Sequence, residues 1–273
     1  MFYSSPQRNY TLVLGIAIVS ILTIALFWGN KPKLPLISPW SAQSGNAPIK
    51  GITQRIADQQ LRIEIAPGLY ADQQDSVRAD LTTALAYVSE RFGSGPSMPL
   101  TVMIEPESSC NLNGVAYTDT HTVHVYSCDS ISRGRAVAIL AHEFIHQLAQ
   151  DRYGPAHLKA DLILSEGLAT WGAGSYWLGG QPDFRSYVAA QQRQGVSYPL
   201  AMSYVGQGVD VMNALYYQWA SFVEFLIQTY GRERFDALYV SGANAPGSAD
   251  YAAVYGKPLD VLEAEWKTWL QSR

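Results

Sequence analysis

The sequence predicts an α+β fold behind an N-terminal transmembrane helix, and three features of its patterning support this. An uncharged apolar run lies near the N-terminus, strand-like alternation ends by about residue 128, and helical spacing dominates from about residue 135. Strands early in a chain and helices late are typical of a sheet with its helices segregated to one side. Hydrophobic residues make up 48% of the 273, which is enough to fill a sizeable core.

The apolar run covers residues 11–28, TLVLGIAIVSILTIALFW, and has no charged residue. A helix of this length crosses most of a hydrocarbon core about 30 Å thick. No small-residue cleavage site follows it closely, so we expect an uncleaved signal anchor after a short tail at residues 1–10, with a cleaved signal peptide as the alternative. Arg8 before the run and Lys31 and Lys33 after it give no clear bias for orientation. The low share of charged residues, 15%, favours an extracytoplasmic domain on a single-pass protein of the cell membrane.

Residues 29–50 predict a linker, because they contain four prolines among Gly, Ser and Asn and show no periodicity. The domain is expected at residues 51–273. Alternating segments predict strands at 61–65, 99–106 and 121–127, with a turn-rich stretch before the last of them. Helical spacing predicts helices at 71–92, 135–153, 161–172, 213–230, 232–240 and 259–270.

Charge and cysteine content limit the classes of partner and site. With 19 basic and 23 acidic residues and no basic run, the chain lacks the cationic stripe that neutralises phosphates, so we expect no nucleic-acid partner. Cys110 and Cys128 flank a hairpin-like segment and would form a disulfide in an oxidising compartment; two free buried thiols are the alternative. Two cysteines at this spacing do not match a cysteine-based zinc site.

The stretch AHEFIHQLAQ carries two histidines four residues apart, His142 and His146, with Glu143 directly after the first. On a helix this spacing places both imidazoles on one face, where they can reach one metal ion. Glu143 lies about 100° around the helix, where a general base for a metal-activated water is needed. The alternative is an amphipathic core helix that carries two histidines by chance.

A catalytic zinc site needs a third protein ligand and one open position. Glu166 in LSEGLATW follows His146 by twenty residues and lies on the next predicted helix, after a Gly-Pro turn. An antiparallel helix pair would bring its carboxylate beside the two histidines. His157, in the connecting loop, is the competing third ligand.

At these motifs the chain resembles a known family. HEFIH (142–146) followed by SEGLATW (165–171) is similar to the gluzincin metallopeptidases, in particular the peptidase MA-like bacterial domains related to thermolysin and aminopeptidase N. The resemblance extends loosely over residues 55–271. It implies a zincin-like metallopeptidase domain, with a small mixed sheet that has an edge strand, then the active-site helix, then a mostly helical C-terminal half.

The same resemblance implies one Zn²⁺ per chain, bound by His142, His146 and Glu166. Glu143 would be the base that activates a zinc-bound water to hydrolyse peptide bonds of a peptide or protein substrate. Thermolysin-type enzymes have an aspartate four residues after the glutamate ligand to orient one histidine, whereas this chain has Thr170. A hydroxyl or a backbone carbonyl would have to replace that carboxylate.

The oxyanion of the reaction needs a donor besides the metal, and in this superfamily it is often a Tyr or His of the C-terminal half. No histidine follows residue 157, so Tyr216 and Tyr217 are the candidates by position. Each is also a plausible core or surface tyrosine of the helix at 213–230. Trp177 is expected to pack behind the Glu166 helix, with an aromatic subsite as the alternative.

The segment HTVHVYS (121–127) is expected to be the edge strand, where an extended peptide could add by strand pairing. His121 and His124 are three apart and face opposite sides of a strand, so we interpret both as structural. Two other functions remain open for the chain as a whole. One is a non-catalytic binding module with the gluzincin fold, and the other is a zinc amide hydrolase acting on a non-protein substrate.

Overall fold

The computed structural model describes residues 60–272. The predicted tail, signal anchor and linker, and the start of the predicted domain, lie outside the described residues. Within the described part, none of the helices combines the length and the apolar character that a membrane crossing requires. These residues form a four-stranded sheet followed by a largely helical half, which confirms the predicted α+β class.

The sheet has the strand order β1-β2-β4-β3. Its strands are β1 (Leu61–Ile65), β2 (Leu100–Pro106), β3 (Asn113–Tyr117) and β4 (Thr122–Ser127). β1 pairs parallel with β2 and β2 pairs parallel with β4, whereas β3 pairs antiparallel with β4. The sheet is therefore small and mixed, as the resemblance implied.

The edge strand next to the helical half is β3, which corrects the expectation that residues 121–127 form the edge. β4 is enclosed between β2 and β3. Asn113 and Gly114 are residue types depleted in strands, so the local sequence favours a turn. A Cβ at Gly114 would lie 2.5 Å from Ile139 Cγ2 and 2.8 Å from Glu143 Cγ, so the strand needs glycine there to approach a helix.

The helices account for most of the remaining residues. They are α1 (Gln74–Phe92), α2 (Arg133–Tyr153), α3 (Leu162–Ala173), α4 (Ser175–Leu178), α5 (Phe184–Arg193), α6 (Val209–Tyr230), α7 (Arg232–Tyr239), α8 (Tyr251–Tyr255) and α9 (Leu259–Gln271). Short 3₁₀ turns cover Ala71–Gln73 and Gly154–Lys159. The sequence missed α4, α5 and α8; α4 and α8 have four and five residues, too few to establish a 3.6-residue period.

One face of the sheet is buried by the helices. Leu100, Val102 and Ile104 of β2 and Val123 and Val125 of β4 alternate with more exposed residues and are at most 1% exposed. They belong to one core cluster that also contains the apolar side chains of α1 and α2. The period of two in the sequence therefore reports the face that packs on the helices.

α3 packs between α2 and α6. A Cβ at Gly172 would lie 2.5 Å from Ile145 Cδ1 of α2, and a Cβ at Gly167 would lie 2.7 Å from the Trp219 carbonyl oxygen of α6. These two glycines allow the helix backbones to approach closely. Thr170 of α3 lies against His142 of α2, and Glu166 lies against His146, so the two helices form the predicted antiparallel pair.

A disulfide joins Cys110 to Cys128, with a Cα–Cα distance of 5.2 Å. It links the segment before β3 to the residue after β4. The bridge that the cysteine spacing predicted is therefore present, and it encloses the β3–β4 hairpin at the edge of the sheet.

Candidate metal centre

Three potential metal-ligating atoms converge between α2 and α3. His142 Nε2 lies 3.2 Å from His146 Nε2 and 3.3 Å from Glu166 Oε2, and His146 Nε2 lies 3.7 Å from the same carboxylate oxygen. The three ligand atoms all lie within 4.8 Å of one another. Among residues 60–272 this is the one group of three or more such side chains close enough to hold a metal ion.

The local chemistry of this group fits a divalent cation. The Nε2 atoms of His142 and His146 lie 3.2 Å apart and both face one carboxylate oxygen: if both carry a proton, their N–H groups oppose each other, and if one does not, its lone pair faces the carboxylate. Although burial opposes ionisation, hydrogen bonds from His142 and His146 hold the pKa of Glu166 well below its usual range. Burial lowers the pKa of His142, which favours the neutral ring. An ionised carboxylate with imidazole nitrogens is the donor set that catalytic zinc sites use.

Glu143 lies beside this group and faces the edge strand. The side chain is 1% exposed, and its carboxylate accepts a hydrogen bond from the Ala116 N–H of β3. Its other oxygen, Oε2, has no hydrogen-bond partner among the described residues. Burial raises the pKa of Glu143 to about 8. A buried carboxylate with one unpartnered oxygen at the strand edge can accept a proton from a reactant held there.

Thr170 occupies the position where thermolysin-type enzymes have an aspartate. Its hydroxyl Oγ1 lies 3.4 Å from His142 Nδ1, and the side chain is fully buried. A hydroxyl thus replaces the carboxylate as the group that contacts the far nitrogen of His142.

The two candidate tyrosines have different surroundings. Tyr216 is 1% exposed, its ring stacks on His142 with centroids 5.8 Å apart, and its hydroxyl hydrogen bonds to Glu166. The Tyr217 hydroxyl instead donates to the Trp177 carbonyl at 3.0 Å, and its ring packs on Tyr187. Consecutive residues of a helix point about 100° apart, so only the first of the two reaches the centre.

The prediction of a donor role for Tyr217 therefore lacks geometric support. The geometry keeps Tyr216 at the centre, hydrogen-bonded to the Glu166 carboxylate.

The competing ligand, His157, lies near the centre but outside the group. It is 2% exposed, its ring is 5.6 Å from that of His146, and its Nδ1 hydrogen bonds to the Tyr239 hydroxyl at 2.8 Å. Burial lowers the pKa of His157 to about 3, so the ring is neutral. Glu166 therefore belongs to the group with His142 and His146, whereas His157 hydrogen bonds to Tyr239.

The two strand-region histidines pair with carboxylates elsewhere. His121 Nε2 lies 3.3 Å from Asp151 Oδ1, and His124 Nδ1 lies 2.7 Å from Glu105 Oε2. Neither belongs to the group at α2 and α3. These contacts agree with the structural interpretation of both residues.

Two aromatic side chains beside the centre add to the expected set. The Trp177 ring lies 4.9 Å from His142 and remains partly exposed, so it borders the centre and does not pack behind α3. Tyr204 lies on the loop before α6, its ring 5.8 Å from that of Tyr216, and sequence reasoning missed it. The one available signal was a tyrosine in an otherwise polar, Gly-rich loop, SYVGQG, a pattern too common to single out.

A comparison with protein families supports these features. The sequence profile of the Peptidase MA superfamily matches residues 92–272, a range that contains α2, α3 and every residue of the candidate centre. No curated protein matches the chain. The small mixed sheet, the helical second half and the buried His-His-Glu group all fit a domain of this kind. On the extent of this match, the chain belongs to the peptidase MA superfamily.

Proposed function

We propose that this protein is a zinc metallopeptidase in which His142, His146 and Glu166 hold one zinc ion and Glu143 acts as general base. The observation that supports this most directly is the convergence of the three ligand atoms within 4.8 Å beside a carboxylate with an unpartnered oxygen. Bound zinc would polarise the scissile carbonyl and lower the pKa of water.

Glu143 is held for proton transfer by its contact with β3. One carboxylate oxygen is engaged by the Ala116 N–H, which leaves Oε2 to take a proton from the attacking water and deliver it to the leaving amine. Thr170 orients His142, and Tyr216 orients the Glu166 carboxylate. His142 and Glu166 are thus each held by a second side chain.

The edge strand supports a peptide substrate over another amide. β3 is paired on one side by β4, and it contacts α2 at Glu143. An extended peptide that adds to the free side of β3 would pass the base in a fixed register, with main-chain hydrogen bonds that any sequence can make. A small non-peptide amide would gain nothing from such an edge.

The test compares Glu143→Gln with Glu105→Gln, since Glu105 lies on β2 and pairs with His124 away from the centre. We expect the full chain with zinc to release peptides from a casein-like substrate, Glu143→Gln to lose about 10²- to 10⁴-fold in rate, and Glu105→Gln to stay near wild type. Zinc content is measured in parallel for His146→Ala and for His124→Ala as its control. A Glu143→Gln protein as active as the wild type would contradict the peptidase assignment.

We further propose that residues 11–28 anchor the protein in the cell membrane with the domain outside the cytoplasm. Their 18 uncharged residues and the Cys110–Cys128 bridge, which needs an oxidising compartment, support this placement. The full chain should sediment with membranes and resist extraction by high salt or carbonate. Release by either treatment would contradict an integral anchor.

A further inference from the structure

The loop that enters α6 has a firmly held beginning and end. Gln218 of α6 bonds both backbone groups of Tyr198, accepting from its N–H and donating to its carbonyl at 3.0 Å each. Trp219 Nε1 donates to the Leu200 carbonyl at 2.9 Å. At the other end, α6 begins at Val209. Residues 201–208 therefore form a short segment between the hydrogen-bonded residues Tyr198 and Leu200 at one end and the start of α6 at the other.

The segment itself is bonded locally. Its backbone N–H groups at Met202, Val205 and Gln207 donate to Pro199, Ser203 and Tyr204 respectively, all within or next to the segment. The Val205 side chain is 73% exposed. Because these bonds do not involve the core helices, the segment can move without breaking them.

Tyr204 is the aromatic side chain by which the segment meets the metal centre. Its ring lies 5.8 Å from Tyr216 and 5.9 Å from Trp219, and its hydroxyl is within hydrogen-bonding reach of the Tyr216 hydroxyl. Tyr216 in turn stacks on His142 and bonds Glu166. Tyr204 is partly exposed whereas Tyr216 is buried, so Tyr204 lies on the solvent side.

The metal centre is closed in this conformation. His142, Glu143, His146 and Glu166 are exposed by only 2%, 1%, 5% and 1%. A peptide bond must reach Glu143 and the ligand group, so a neighbouring part of the chain has to move. α2, α3 and α6 pack closely at Gly167 and Gly172, so separating these helices would cost a large free energy of packing.

Trp177 is the other aromatic border, and it is held in place. Its carbonyl accepts from Tyr217, and its ring packs 4.9 Å from His142. Residues 201–208, by contrast, are held by local backbone hydrogen bonds and by the packing of Met202 and Tyr204 on the core.

We propose that Tyr204 is the gating residue of the metal centre, its ring closing the centre against Tyr216 until segment 201–208 lifts to admit a peptide. This rests on the proposed zinc site. The ring supplies the contact, so phenylalanine should replace tyrosine and alanine should not. Tyr204 is a positioning residue that controls access and takes no part in bond making.

The test uses the full chain loaded with zinc and measures zinc transfer to a chromogenic chelator in excess. We expect Tyr204→Ala to release zinc at least about tenfold faster than wild type, and Tyr204→Phe to stay within about twofold. Tyr126→Ala, at a partly buried tyrosine of β4, is the matched control and should leave the rate unchanged. Hydrogen exchange over residues 201–208 should quicken in Tyr204→Ala while exchange in α6 stays slow.

Two results would overturn the gate. If Tyr204→Ala releases zinc and exchanges the amides of residues 201–208 at the wild-type rates, the Tyr204 ring does not close the metal centre. If Tyr204→Phe releases zinc as fast as Tyr204→Ala, the phenol acts on the ligands through Tyr216 and access is not what it controls. A wild-type chain that binds no zinc would reject the proposed function instead, and the exchange of residues 201–208 would still decide whether Tyr204 holds the segment closed.

Discussion

At the residue scale, the geometry of the centre depends on a glycine, Gly114. Gly114 lets β3 approach α2 so closely that the Ala116 N–H reaches Glu143. A Cβ there would lie 2.9 Å from Glu143 Oε1 and 2.8 Å from its Cγ, so any larger residue must displace either the strand or the base. The position of the proposed base is thus set by a residue that carries no chemistry.

Gly114→Ala should therefore lower both the proposed peptidase activity and the stability. We expect a loss of roughly 1–3 kcal/mol in the free energy of unfolding from overpacking, together with at least a tenfold drop in turnover as Glu143 shifts. Gly134→Ala is the control, because a Cβ at Gly134 meets nothing within 4 Å and alanine favours the helix. Urea unfolding and peptide turnover measure the two effects, and an unimpaired turnover would show that the close contact does not position the base.

His157 gives the protein a stability that depends on pH. Its pKa is lowered by burial to about 3 in the folded state, against about 6.5 when unfolded. The folded form therefore binds the proton less well, so the contribution of this group is fully present above about pH 6.5 and is lost as pH falls towards 3.

In His157→Gln this part of the pH dependence should disappear. The difference in unfolding free energy between wild type and variant should change by about 1.4 kcal/mol per pH unit between about pH 6 and 4, in favour of the variant at lower pH. Glutamine can keep a hydrogen bond to the Tyr239 hydroxyl, which limits other losses. Urea titrations at several pH values measure the difference, and a difference that stays constant over this range would contradict a buried neutral ring.

At the element scale, the position of α3 decides whether Glu166 meets the histidines. Asp161 caps α3 by accepting from the Ile163 N–H, and it also accepts from Gly247 N–H, Ala249 N–H and the Tyr251 hydroxyl. The side chain is fully buried. One carboxylate thus fixes the start of the ligand helix to the loop that precedes α8.

Asp161→Asn should destabilise the protein by about 2–3 kcal/mol, because the amide nitrogen cannot accept the two bonds that Oδ2 now receives. Asp183→Asn is a matched control at the cap of α5, where the side chain accepts a hydrogen bond from the Ser186 N–H alone and asparagine caps equally well. Its loss should stay within about 0.5 kcal/mol. Equal losses for the two variants in urea unfolding would show that the additional bonds of Asp161 contribute nothing.

The element scale also shows where periodicity fails as a guide. The sequence placed the edge at residues 121–127, but the edge is β3, which contains Asn113 and Gly114. Turn propensity is a local property, whereas the strand forms because β4 supplies hydrogen bonds and α2 requires a small residue. Long helices such as α2 and α6 were predicted well, since many turns repeat the same apolar face.

At the scale of the whole molecule, the Cys110–Cys128 bridge joins both ends of the edge hairpin. Replacing both cysteines by serine should cost about 2–4 kcal/mol of stability, because the unfolded chain loses an 18-residue constraint. A reductant should lower the urea midpoint of the wild type and leave that of the double variant unchanged. If the reductant shifts neither protein, the bridge does not contribute to stability.

The ligand set was open to sequence reasoning because its spacing follows from helix geometry. His142 and His146 share a face at any i, i+4 step, and Glu166 follows from an antiparallel helix pair with a short turn. The same reasoning could not choose between Tyr216 and Tyr217, since both lie within the same largely apolar helix, α6. It could not find Tyr204, whose role depends on a loop folding back over residues distant in sequence.

The sequence by itself predicted the α+β class, the Cys110–Cys128 bridge and the convergence of His142, His146 and Glu166. These follow from local periodicity and from fixed distances along a helix. Only the tertiary structure decided which strand is the edge and which tyrosine meets the centre. The physical reason is that these depend on packing between elements far apart in the chain, where a missing Cβ at Gly114 or a buried carboxylate at Asp161 overrides local preference.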